Sequence, residues 1–123
     1  MDGFFVIVEG KNDAKRLRNF LPESVPIAMT YGMPGQDRLI RLRWMARHRQ
    51  VVVVTDADSA GRRIRRILKE VFPDAWDIYT KPGFNGVEHT PVEYMEDRFR
   101  RLGIVPIPST ERDNEDYSSG GQC

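Results

Sequence analysis

VVVVTDADSAG, residues 51–61, decides the reading of this chain. Four consecutive valines leave no polar alternation, so the strand they form is buried on both faces, as inside a parallel sheet. Two aspartates, Asp56 and Asp58, follow at once. A helical pattern comes next, with Ala60, Ile64, Ile67, Leu68 and Val71 spaced to share one face. The opposite face carries Arg62, Arg63, Arg65, Arg66 and Lys69. Near the N-terminus, residues 4–8 form a second unbroken apolar run, which also ends in an acid, Glu9, followed by Gly10.

The rest of the chain keeps the alternation. A helix is expected over about residues 12–21, with Ala14, Leu17 and Leu21 inward, then a short strand over 25–29 and a loop over 30–35. The next helix, about 36–48, turns Leu39, Leu42 and Ala46 inward. A strand over 76–80 leads through a loop to Thr90, where Pro91 and Glu93 suggest a capping box with proline at the first helical position. The helix so opened has Val92, Met95, Phe99 and Leu102 inward, and residues 104–108 form a short extended piece. Strands alternating with helices predict an α/β fold, a parallel sheet of about four strands flanked by helices with right-handed crossovers. The expected domain is 1–108, and the polar, acidic stretch 109–123 is expected to lack a packed structure.

Composition narrows the function. With 123 residues the chain has room for one domain. No apolar run approaches the length of a membrane span, and no basic segment precedes the first apolar stretch. The single cysteine, Cys123, excludes a disulfide framework and a thiolate metal site. A cytoplasmic protein with no membrane partner is the expectation. The net charge of +1 hides a split, because residues 1–108 carry 18 basic against 14 acidic side chains, while 109–123 carry one arginine against four acids. Fifteen of the 19 basic residues are arginine, whose planar fork suits phosphate, although a coding bias toward arginine gives the same count.

In a parallel sheet ligands bind beyond the carboxyl ends of the strands, where the strand order switches. Glu9, Asp56 and Asp58 all fall there. Three close carboxylates repel one another unless a cation neutralises them. Mg²⁺ is the natural cation, since it takes hard oxygen ligands and completes its shell with water and phosphate. Asp56 and Asp58, two apart on an emerging strand, can face one ion. Gly10 would allow a tight turn and Gly61 a close helix approach. The plainer alternatives are a helix cap for Asp58 or Ser59 and an ion pair between Glu9 and Lys11 or an arginine.

Residues 6–13, VIVEGKND, and 54–61, VTDADSAG, together resemble the two signature motifs of the Toprim domain, shared by topoisomerases, bacterial primases and several nucleases. Among these the chain is most similar to the small bacterial Toprim proteins and the N-terminal domain of ribonuclease M5, the maturase of 5S ribosomal RNA. Gly86–Thr90 and Thr30–Gly32 resemble loops of that maturase. The resemblance implies that Glu9 is a general acid or base and that Asp56 and Asp58 hold Mg²⁺. It implies that Asp13 assists a metal, against the alternative of a first-turn helix acid. Lys11 would contact phosphate at the mouth of the site.

The departures are informative. Topoisomerases carry a third acid where this chain has Ala60, and the domain with their nucleophilic tyrosine has no room here. Primases need a zinc-binding region that one cysteine cannot supply. The maturase has a further C-terminal segment, where this chain turns into a polar stretch. A phosphoacceptor domain of response-regulator type would carry its acidic pair after the first strand, whereas here the pair follows the third.

The expected activity is therefore Mg²⁺-dependent chemistry on nucleic-acid phosphodiesters. Its rival is a catalytically silent module that binds nucleic acid or Mg²⁺ and needs or regulates a protein partner. Arg62 and Lys81 are candidate phosphate contacts, Glu88 and His89 candidate substrate contacts in the maturase-like loop, and His89 a possible proton donor. Arginines on both middle helices would track a backbone without reading sequence. The sequence displays no aromatic ladder, which favours duplex DNA or structured RNA over single strands.

Overall fold

The computed structural model describes residues 3–80 and 89–112. Its sheet consists of β1 (Phe4–Val8), β2 (Ile27–Met29), β3 (Gln50–Thr55) and β4 (Trp76–Tyr79). All pairings are parallel, and the order is β2-β1-β3-β4. Helices α1 (Lys11–Arg18), α2 (Gln36–Ala46), α3 (Ser59–Val71) and α4 (Val92–Arg101) complete the expected α/β architecture.

The two unbroken apolar runs became the two central strands because only there can both faces be covered. Val6 and Val8 of β1 and Val52 and Val54 of β3 pack with Leu17 of α1 and Met95 and Phe99 of α4. Phe5 and Ile7, Val51 and Val53 face the other way, against Leu42 and Ala46 of α2 and Ile64 and Leu68 of α3. Each such side chain contributes about 1.5–3 kcal/mol when fully buried. From β1 the chain goes first to β2 on one side, then crosses to β3 and β4 on the other. The strand order therefore switches between β1 and β3, and in open parallel sheets ligands bind beyond the carboxyl ends at such a switch.

Several local expectations change. Ala60 is exposed on α3, and the inward position is taken by Gly61, which is buried. A Cβ at Gly61 would sit 2.2 Å from the Asp56 carbonyl oxygen and 3.0 Å from its nitrogen, so the expected close approach is present. Gly10 is the reverse case. Its backbone is extended, with φ −140°, and a Cβ would meet nothing within 4 Å, so no tight turn requires glycine there.

The capping box at Thr90 does not form. Pro91 is itself the N-cap of α4, with no side-chain cap, and the helix starts at Val92. A proline ring fixes its own φ and disfavours helical geometry at the residue before it, which keeps Thr90 outside the helix. After α4 the chain runs irregularly along the α1 side, where the Ile107 N–H donates to the Phe20 carbonyl at 2.7 Å. Order continues past residue 108 through a 3₁₀ turn, Ser109–Glu111, and Arg112 pairs with Glu96. Residues 113–123, the remainder of the expected tail, lie outside the described residues. Among the described residues no helix is long and apolar enough to cross a membrane.

Gly61→Ala is expected to lower stability by about 3 kcal/mol, the upper range for overpacking against backbone that cannot move aside. Gly10→Ser should stay within about 0.5 kcal/mol of wild type, since the site is open and serine caps helices well. Thermal or denaturant melts of both variants check this.

Candidate active site

The carboxyl edge of the sheet is laced together by the residues just past each strand. Thr30 N–H donates to the Val8 carbonyl at 2.9 Å, and Tyr31 N–H donates to the Glu9 carbonyl at 2.8 Å. On the other side, Ala57 N–H donates to the Thr80 hydroxyl at 3.0 Å and Thr80 N–H donates to the Thr55 carbonyl at 3.4 Å. Thr30, Thr55 and Thr80 are all buried, one after or at the end of each of β2, β3 and β4. The Thr80 hydroxyl pairs there with backbone that has left the ladder, the Thr55 hydroxyl accepts from Arg65, and the Thr30 hydroxyl is buried without a partner among the described residues. Threonine recurring at three of the four strand ends is a signal of this edge that the sequence contains.

This edge brings Glu9, Asp56 and Asp58 together. Glu9 is half-buried, and its carboxyl is pushed above the ordinary range, first by burial and then by the negative charges of Asp56 and Asp58. Asp58 does not ride on the strand as its spacing suggested. β3 ends at Thr55, and Asp58 is the N-cap of α3, with its Oδ1 accepting from the Gly61 N–H at 2.7 Å. The plainer alternative for Asp58 is thus present, and its second oxygen is not used by the cap. Asp56, half-buried, is held from behind by the contact of Gly61 on its backbone.

The other candidates divide. Asp13 closes the first turn of α1, its Oδ2 accepting from the Gly10 N–H at 3.2 Å, which is the helix-acid alternative. Lys11 is exposed at the start of α1. Arg62 is exposed and shares a shallow groove with Arg65, Arg66, Lys69 and Glu70. His89 is exposed, and the carbonyl of its neighbour Thr90 accepts from Arg16 of α1 at 2.8 Å. Lys81 and Glu88 lie outside the described residues.

Among the described residues no three His, Cys, Asp or Glu side chains form a ready cage for a metal ion. The donor set nonetheless fits Mg²⁺, which needs only one or two protein carboxylates beside water and phosphate oxygens. The repulsion that raises Glu9 is what a bound cation would relieve.

The family model of the Toprim domain matches residues 4–85. The chain belongs to the Toprim domain family. This Toprim protein is 31% identical over 99 residues to uncharacterized protein YusF of Bacillus subtilis, covering 80% of this chain and 68% of that one. It is 29% identical over 94 residues to ribonuclease M5 of Fusobacterium nucleatum, covering 72% of this chain and 51% of the relative. Ribonuclease M5 of Lactococcus lactis is 32% identical over 99 residues, covering 73% of this chain and 47% of the relative. The Toprim chain thus spans about half the length of these ribonuclease M5 relatives. A solved structure, a small TOPRIM domain protein from Bacillus stearothermophilus, superposes with a TM-score of 0.79 at 27% identity, over 94% of this chain and 98% of that one.

Glu9 holds its proton more tightly folded than unfolded, so its contribution to stability is present below the usual carboxylate range and lost as pH rises through the raised value. In chelator, Glu9→Gln should therefore melt above wild type at neutral pH, with the gap closing toward about pH 4. Melting curves across that range check the sign.

Proposed function

We propose that this Toprim protein cleaves nucleic-acid phosphodiester bonds with Mg²⁺, acting in the manner of a ribonuclease M5-type endonuclease in the cytoplasm. The observation that carries the reading is the meeting of Glu9, Asp56 and Asp58 at the strand-order switch, where burial first and the two aspartates second raise Glu9. The similarity to ribonuclease M5 relatives supports RNA as the substrate.

Asp56 and the uncapped oxygen of Asp58 would hold Mg²⁺, which when bound supplies charge to offset the phosphate and the developing transition state. Glu9, beside the metal-holding aspartates, would take a proton from the attacking water and hold it at a carboxylate oxygen. Arg62 and Arg66, exposed on α3, bind the flanking phosphates and set the register of the backbone. Gly61 keeps α3 close, so these arginines and Asp56 move as one unit.

A second reading, a module that binds without turnover until a protein partner completes the site, is favoured by the helix-capping bonds that engage Asp58 and Asp13.

Labelled structured RNA and duplex DNA, incubated with Mg²⁺ or with chelator, separate the two. Cleavage that requires Mg²⁺ and falls by about 10²–10⁴-fold in Glu9→Gln and Asp56→Asn is expected. Asp58→Asn keeps the helix cap, so it should fold normally and need more Mg²⁺. Mg²⁺-dependent binding that needs Asp56 but yields no product would establish the second reading. Cleavage indifferent to Mg²⁺ and to both variants overturns the site.

A further inference from the structure

Tyr31 and Tyr79 stand at the two outer ends of the edge that carries the acids. Tyr31 follows β2 and is 62% exposed, and Tyr79 closes β4 and is 46% exposed. β2 and β4 are the edge strands, so Glu9 after β1 and Asp56 after β3 lie between the two rings. Three interstrand gaps set their backbones about 14 Å apart. That span suits a few nucleotides, with the acids at its centre.

Each ring carries an arginine. The Arg38 guanidinium lies 4.8 Å from the centre of Tyr31, and the Arg65 guanidinium 4.2 Å from the centre of Tyr79. Both arginines are themselves fixed. Arg38 donates to the Met29 carbonyl at 2.7 Å, and Arg65 donates to the Thr55 hydroxyl at 3.0 Å. They come from α2 and α3, which cover the same face of the sheet, so both rings are braced from one side. Arg65 also lines the basic groove with Arg62, Arg66 and Lys69.

Tyr31 is held where glycine would be easier. Its φ is +58°, and the next residue, Gly32, is also left-handed at +80°. A bulky side chain kept in that region, mostly exposed, adds strain to the fold and little burial. Arg38 contacts the ring from within the chain, and the exposed part of the ring is open to a ligand.

We propose that Tyr31 and Tyr79 are base-stacking platforms, and that the strand drawn across Glu9 and Asp56 is unpaired nucleic acid. This rests on the phosphodiester reading above and names its substrate class. Stacked, paired bases have no free face for a tyrosine, whereas each unpaired base offers one to a ring. A guanidinium behind each ring adds cationic attraction for the neighbouring phosphate. The strand continues over the arginines of α3. A structured RNA meets the requirement through a loop, bulge or end.

Fluorescence anisotropy with labelled single strands, and with a blunt duplex of the same sequence, tests this in Ca²⁺ to hold chemistry off. Tyr31→Ala and Tyr79→Ala should each weaken single-strand binding about tenfold and leave duplex binding unchanged. Tyr31→Phe and Tyr79→Phe should bind like wild type. Tyr31→Gly should melt no lower than wild type and still lose the single-strand affinity, which a merely structural tyrosine would not do. Unchanged single-strand binding in both alanine variants, or equal loss on both ligands, overturns the stacking role. Wild type that binds only duplex overturns it too and leaves the phosphodiester reading standing. Wild type that binds neither ligand removes that reading as well.

Discussion

The contact of Gly61 on the backbone of Asp56 is the constraint on which the site depends. A helix that starts after only three intervening residues beyond a buried strand must fold back over the first carbonyl past the strand, that of Asp56. With 2.2 Å between that oxygen and any Cβ, only glycine permits the fold-back. The contact holds the backbone of Asp56 against the start of α3, which Asp58 caps. One missing methyl group thus couples the acids to the cations that would hold a phosphate backbone.

Charge explains why this edge calls for a ligand. Burial and two neighbouring aspartates raise Glu9, so the acids are worse placed together than apart. The arginines nearby are partly committed to structure. Arg38 ties α2 to the end of β2, Arg65 ties α3 to the end of β3, and Arg16 ties α1 to Thr90. Arg62, Arg63 and Arg66 stay exposed. An arginine count alone therefore overstates the phosphate-binding surface, while the positions of the exposed few define it.

Much of the fold was legible because its signals are local. The apolar runs at 4–8 and 51–54 could only be doubly buried strands, and the inward positions of α2 and α4 follow from helical spacing. Gly61 was legible for the same reason, as a residue type at a required close approach. Gly10 was not, because a glycine in sequence does not reveal whether its Cβ would meet an atom. The cap at Thr90 failed because Pro91 took the N-cap position itself, an outcome set by how the chain enters α4.

The sequence by itself determined the class of fold and the place of the acids, since a carboxylate after a buried parallel strand has nowhere to go but the carboxyl edge. Only the tertiary structure decided which residues share that edge from distant parts of the chain. Strand order put Tyr31 and Tyr79 on either side of Glu9 and Asp56, and no spacing in the sequence foretells a neighbour across four strands. The capping bonds of Asp58 and Asp13, by contrast, are local, each spanning three residues, and were among the alternatives the sequence offered.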